Sequence, residues 1–206
     1  MARTNGAKDA RHDARRAALL EKLRARLAEA DGAIPSMREL AAAAAVSVPT
    51  ITHYFGRREA VVEAVLAATR AQGAPHLARA ARPEGDFAAS MAALAADIMD
   101  GHRQGLADVH VIGLREGLHQ TSGGPAYLRH ILEPTLAAVE ERLAAHQAAG
   151  DMRAGDVRAA ALAFVAPLVL AALHQGGLGG AVVRPLDLDA FAQTHAGAFV
   201  RGWAPG

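Results

Sequence analysis

Apolar residues return every three or four positions along most of this 206-residue chain, and no comparable stretch alternates apolar and polar as a strand does. The pattern predicts an all-α fold. Leu19, Leu20, Leu23 and Leu27, with Arg and Glu between them, give a first helix from about Asp13 to Ala30, closed by Asp31-Gly32. The stretch from Glu59 to Gln72 is a strong helix former with Val62, Val65 and Leu66 on its buried side. Phe87, Met91, Leu94 and Ile98 mark another helix, and Val109, Ile112, Leu114 and Leu118 the next. Leu128, Ile131, Leu132, Leu136, Val139 and Leu143 form the stripe of a long helix kinked or restarted at Pro134. Two breaks are predicted, at residues 73–85, with Pro75 and Pro83, and at Thr121-Ser122-Gly123-Gly124-Pro125.

The C-terminal third has a different pattern. Asp156 to Gln175 is apolar nearly all round, so a helix there needs cover on several sides. In so small a body a second protomer is the natural cover. Its longest apolar run, from Ala159 to Leu173, contains Pro167 and is too short and alanine-rich for a membrane span. After the loop Gly176 to Gly180, the residues Leu188, Phe191, His195, Phe199 and Trp203 give a last amphipathic helix. Two such helices from each protomer would make a four-helix dimer interface.

Between the first helix and Glu59 the spacing becomes specific. Ser36 followed by Glu39 is a capping box and starts a helix at Met37, with Leu40, Ala41 and Ala44 on one side. The absence of bulky residues from Ala41 to Ala45 lets a second helix cross closely. Ser47 caps that helix, about Val48 to Tyr54, and Pro49 is tolerated in its first turn. Val46 and Ile51 point inward, leaving Val48, Pro49, Thr50, Thr52 and His53 on the outer face, with Tyr54 and Arg58 at the exit. This is a helix-turn-helix, whose second helix enters the DNA major groove by its N-terminal residues. Arg38, on its first helix, joins the candidate DNA contacts.

The segment resembles the DNA-binding domain of TetR-type transcriptional repressors. The step His53-Tyr54-Phe55 followed by Arg58-Glu59 matches the family pattern, over about residues 12 to 70. The resemblance implies phosphate and base-proximal roles for Thr50, Tyr54 and Arg58, and a core role for Phe55. It also implies a homodimer joined by its C-terminal helices on a palindromic operator of double-stranded DNA. Three positions depart from the family. Ala45 and Pro49 replace frequent glycines, so the turn must avoid positive φ or bear strain, and Thr52 replaces an aromatic that contacts the DNA backbone.

Charge agrees with this division. Residues 1–58 hold eleven Lys/Arg against six Asp/Glu, while the whole chain has a net charge of +1. A basic head (residues 1–58) on an acidic body (residues 59–206) is the footprint of a DNA-binding module joined to one that does not bind DNA. Residues 1–12, polar and basic with no following apolar run, read as a mobile arm rather than a secretory signal. There are no cysteines, which excludes disulfides and thiolate sites and permits a cytoplasmic location. No nucleophile, phosphate loop or dinucleotide motif appears, no His pair has zinc-ligand spacing, and no cofactor or catalytic residue is assigned. His102, His110 and His174 are candidate polar points of an effector cavity walled by Met91, Ile98, Leu114, Leu128, Phe164 and Leu168. The resulting expectation is a ligand-responsive repressor released by a small, mainly apolar effector. An effector-independent activator or architectural protein, or a helical enzyme or interaction protein with an incidental helix-turn-helix, are the alternatives.

Overall fold

The computed structural model describes residues 3–29, 33–119 and 122–205. Among these residues it contains eleven α-helices and no strand. The head comprises α1 (Arg3–Ala28), α2 (Met37–Ala43) and α3 (Val48–Phe55), and α4 (Arg58–Ala80) leads out of it. The body continues with α5 (Phe87–Gly101), α6 (Ala107–His119), α7 (Gly123–Tyr127), α8 (Glu133–Ala149), α9 (Val157–Gln175), α10 (Gly180–Val183) and α11 (Leu188–Trp203). Wide, π-type turns at His102–Leu106 and Leu128–Leu132 join α5 to α6 and α7 to α8.

Three boundaries differ from those predicted. Helix α1 begins at Arg3, so residues 3–12, expected to form an arm, continue the first helix. The run from Ala7 to Arg11 contains no proline and is rich in residues that favour helix. The predicted stop at Ala30, Asp31 and Gly32 lies outside the described residues, as does Thr121. Helix α4 runs on to Ala80, through Gly73 and Pro75, and the break shrinks to residues 81–86. Its end is held by the buried Arg142 of α8, whose guanidinium donates to Ala80 O at 2.7 Å and Arg79 O at 3.0 Å. The same guanidinium also donates to both oxygens of Ser90 at 2.8 Å. This tertiary anchor satisfies carbonyls that a helix end leaves free, offsetting the bond lost at Pro75. Finally, Gly123, Gly124 and Pro125 form the start of α7 rather than a loop.

The apolar interior forms two clusters. The first joins Leu23, Leu27, Leu40, Ile51, Phe55 and Leu66 to Ile112, Tyr127 and Ile131, so the head core continues into α6 and α7. The second gathers Met91, Leu94, Leu143, Phe164, Leu168 and Phe199 from α5, α8, α9 and α11. Helices α6 and α7 cross very closely at glycines. A Cβ on Gly123 would lie 2.6 Å from backbone atoms of Glu116, and one on Gly113 would lie 2.1 Å from the Tyr127 ring.

Helix α9, with nineteen residues, is long and apolar enough to cross a membrane by length and composition, contrary to the sequence expectation. One side of it, with Ala160, Phe164 and Leu168, is built into the second core cluster. The other side leaves Leu162 49% and Leu170 62% exposed.

Candidate nucleic-acid interface and the cleft behind it

The local chemistry of α2 and α3 follows the predicted caps. Ser36 Oγ accepts from Glu39 N at 3.3 Å, and Glu39 Oε2 accepts from Ser36 N at 2.7 Å. The hydrogen bonds from Ser36 hold the Glu39 carboxyl below its usual value. Ala45 takes φ +56°, so the turn bears strain instead of avoiding it, at a cost of about 1 kcal/mol relative to glycine. Ser47 Oγ accepts from Thr50 N at 3.3 Å and shares a hydrogen bond with Thr50 Oγ1 at 2.9 Å. Ile51 is fully buried, which fixes the rotation of α3 and leaves Ser47, Pro49, Thr52 and His53 exposed. Val48, Thr50 and Tyr54 are half-buried at the edge of the same face, and Arg38 is exposed on α2. Thr52 Oγ1 donates to Val48 O at 3.0 Å, so its hydroxyl hydrogen is engaged within the helix.

At the exit of α3 the Tyr54 ring stacks on His12 of α1, centroids 4.8 Å apart, and the Arg16 guanidinium lies 5.3 Å above the Phe55 ring. Arg58, expected at a phosphate, turns inward instead. Its Nη1 and Nη2 donate to the two carboxylate oxygens of Glu116 at 2.8 and 2.7 Å, and its Nε donates to Pro35 O at 2.7 Å. The pair is enclosed, with side-chain exposure of 13% for Arg58 and 2% for Glu116. Three of its five N–H donors are taken by this enclosed network, which gives Arg58 a bridging role between Pro35 and Glu116. Arg57, which the sequence reading passed over, is the exposed cation of the pair and makes no cap hydrogen bond at the start of α4. Two adjacent arginines give no sequence signal of which one turns inward. The helix phase set by Val61, Val62 and Val65 decides it.

The nine candidate effector residues do not form one cavity. Met91, Phe164 and Leu168 are fully buried in the second core cluster, where close packing leaves them no ligand face. Leu114 and Leu128 are exposed, because α6 and the turn after α7 direct their buried faces at Ile112 and Ile131. His174 is also exposed, with Nδ1 hydrogen-bonded to Gln175 Nε2 at 2.8 Å. Ile98 alone of the nine lines the cleft of about 270 Å³ that lies between α4, α5 and α8 with the turn after α5 at one end. Its walls include Leu77, Leu94 and Ile131, with Arg70, Arg79 and Asp97 towards its mouth and Arg24 of the head reaching in.

Residues 26–65 match the family model for bacterial regulatory proteins of the tetR family. The chain carries the DNA-binding domain of the TetR family. No curated protein matches the sequence. Among solved structures, a Mesorhizobium loti protein assigned to the TetR-family regulators superposes with TM-score 0.73 at 17% identity, covering 95% of this chain and 99% of that one. A TetR transcriptional regulator from Agrobacterium tumefaciens gives 0.64 at 23%, covering 92% and 94%. SmeT, the repressor of the Stenotrophomonas maltophilia multidrug efflux pump SmeDEF, gives 0.61 at 19%, covering 92% and 90%. At these identities the likeness establishes the fold, which over 92–95% of the chain is that of TetR-family transcriptional regulators.

In this TetR-type body His102 and His110 are buried side by side, rings stacked with centroids 5.2 Å apart. His102 Nδ1 bonds Ile98 O at 2.7 Å, and His110 Nδ1 bonds Tyr127 Oη at 2.6 Å. Burial, with the neighbouring His102, pushes the His110 imidazole down to about 3, and burial pushes the Tyr127 phenol up to about 12. A neutral imidazole and a protonated phenol therefore share that bond. Unfolded, His110 gains a proton near its ordinary value of 6.5, while folded it stays neutral to about 3. Between these values the unfolded state binds more protons, so stability falls as pH falls, by at most about 1.4 kcal/mol per pH unit from this group. Melting temperatures taken from pH 7.5 to 4.5 are expected to fall, and to fall less steeply in His110→Gln. Parallel profiles would remove His110 as the cause.

Proposed function

We propose that this protein is a homodimeric transcriptional repressor that holds a palindromic operator and is released by a small-molecule effector. The observation that carries the reading is the outer face of α3. A doubly capped, internally saturated helix presents Pro49, Thr52 and His53 to solvent, with Val48, Thr50 and Tyr54 at the rim and Arg38 and Arg57 as flanking cations. Ser47 is committed to capping and positions the helix rather than reading bases. In this reading residues 1–58 bind DNA, residues 59–206 carry the dimer interface and effector site, and the protein works in the cytoplasm without a cofactor or catalysis.

The exposed Leu162 and Leu170 of α9 support dimerisation through the C-terminal helices. The same chain's α11 exposes the small residues Ala190 and Ala198, which allow a second copy to approach closely. A two-fold dimer places two α3 helices on successive major grooves. The repressing role of SmeT and the effector response common in this fold support the same reading. An effector that prefers the DNA-incompetent state by about 3 kcal/mol lowers operator affinity more than a hundredfold. Helix α4 is the lever, since it begins at the Arg58–Glu116 pair and ends at Arg142.

A salt-titrated mobility shift with two variants tests the DNA contacts. Arg57→Ala is expected to weaken binding to every sequence and reduce the salt slope by about one unit, and the charge-removing double variant Arg58→Met/Glu116→Leu to leave that slope unchanged. The reverse pattern would return the phosphate contact to Arg58.

A further inference from the structure

The cleft between α4, α5 and α8 is amphiphilic in a particular way. Its depth is aliphatic, with Leu77, Leu94, Ile98 and Ile131, and its mouth carries guanidinium groups from two helices. Arg70 of α4 is exposed and makes no hydrogen bond or ion pair with a described residue. Arg24 of α1 is more unusual. Its Nε is buried without a hydrogen-bond partner, and its nearest carboxylate, Glu21, stands 3.8 Å away and already accepts a hydrogen bond from Gln72 at 3.0 Å. The Arg24 guanidinium lies over Gly105, whose φ of +104° and missing side chain leave room for it. A Cβ there would meet Nη1 at 3.1 Å. The acidic group on the wall, Asp97, faces Arg79 at 3.6 Å. The mouth thus holds three guanidinium groups against the carboxylates of Asp97 and Glu21, an excess of one positive charge, with unused donors on Arg24 and Arg70 above an apolar floor.

We propose that this cleft binds an organic anion with an aliphatic body, its anionic head held by Arg24 and Arg70 and its chain lying on Leu77, Leu94, Ile98 and Ile131. The inference rests on the effector-responsive reading above and gives the chemical class of the ligand. The geometry also supplies a consequence. Arg24 belongs to α1 of the head while the floor belongs to the body, so an anion bridging them acts on the relation between the two. A charge-assisted contact to each arginine is the strong kind of hydrogen bond and accounts for a preference over neutral and cationic analogues of equal chain length.

The test uses the full chain, titrated calorimetrically with octanoate, octyl phosphate, octanol and octylammonium. Octanoate or octyl phosphate is expected to bind about tenfold or more tightly than the other two, and the better of these two anions identifies a carboxylate or phosphate head. Arg70→Gln and Arg24→Gln, each checked for an unchanged helical spectrum, are expected to weaken the anion by about tenfold. Equal binding of octanol or octylammonium, an unchanged anion affinity in both variants, or no anion binding at millimolar concentration would overturn the assignment. A parallel operator mobility shift separates the two claims. Anion binding without operator release would sink the effector reading and leave this site standing. Release by octylammonium alone would do the opposite.

Discussion

Glu116→Ala is expected to destabilise the protein by about 3–5 kcal/mol, because it leaves the Arg58 guanidinium enclosed without its counter-charge. The bidentate geometry, with both distances under 3 Å, and the 2% exposure of Glu116 place the pair outside the class of solvent-screened surface bridges. Its position enlarges the effect. Pro35 precedes α2, Arg58 starts α4 and Glu116 lies in α6, so one ion pair fastens the helix-turn-helix to the body. The neighbouring Arg115 reinforces it, donating to Glu29 O at 2.9 Å and also to Leu27 O, both at the end of α1. Urea denaturation of Glu116→Ala and of the double variant Arg58→Met/Glu116→Leu measures the claim. The double variant is expected to recover most of the loss, since replacing both charges removes the uncompensated one. A single-variant loss below about 1 kcal/mol would put the pair with ordinary surface bridges.

Phe164→Ala is expected to cost about 3–5 kcal/mol as well, for a different reason. Phe164 is fully buried and meets the Phe199 ring edge-on at 5.0 Å, with the His195 ring at 5.4 Å. Its backbone carbonyl accepts from His195 Nε2 at 2.9 Å, which ties α9 to α11 at the same point. Removing the ring opens a cavity that α5, α8 and α11 cannot close without breaking that registry. The result decides between two roles. A wall of an effector cavity already has an empty side and would lose little stability on truncation, whereas a core residue loses the whole packing term. Chemical denaturation of the variant in the absence of any ligand reads the difference.

What the sequence displayed was its periodicities and caps. Ser36 with Glu39, Ser47 before Pro49, and the buried phase of Ile51 specify the helix-turn-helix through contacts within three or four residues, and each was found as read. The longer body helices α5, α6, α8, α9 and α11 were legible for the same reason, whereas the short α7 and α10 were not. The misplaced features depend on long-range partners. The continuation of α4 past Pro75 follows from Arg142, sixty-two residues beyond Ala80, and the inward turn of Arg58 from Glu116, fifty-eight residues away. An apolar stripe tells which face is buried but not whether it meets a core or a cavity. Met91, Phe164 and Leu168 were therefore placed beside His102 and His110 in a pocket, although all three are buried in the second core cluster and the two histidines belong to neither cluster. The cleft itself is lined by residues of mixed type from α1, α4, α5, α6, α8 and the two wide turns, a combination with no period.

The measurement that tests the account most directly is a salt-titrated mobility shift and nuclease footprint of the full protein on DNA from the region upstream of its own gene. The account predicts tight, sequence-selective binding with a two-fold symmetric footprint whose half-sites lie about one helical turn apart or a multiple of it. Weak, salt-sensitive binding that treats all fragments alike, with no symmetric protection, would contradict it.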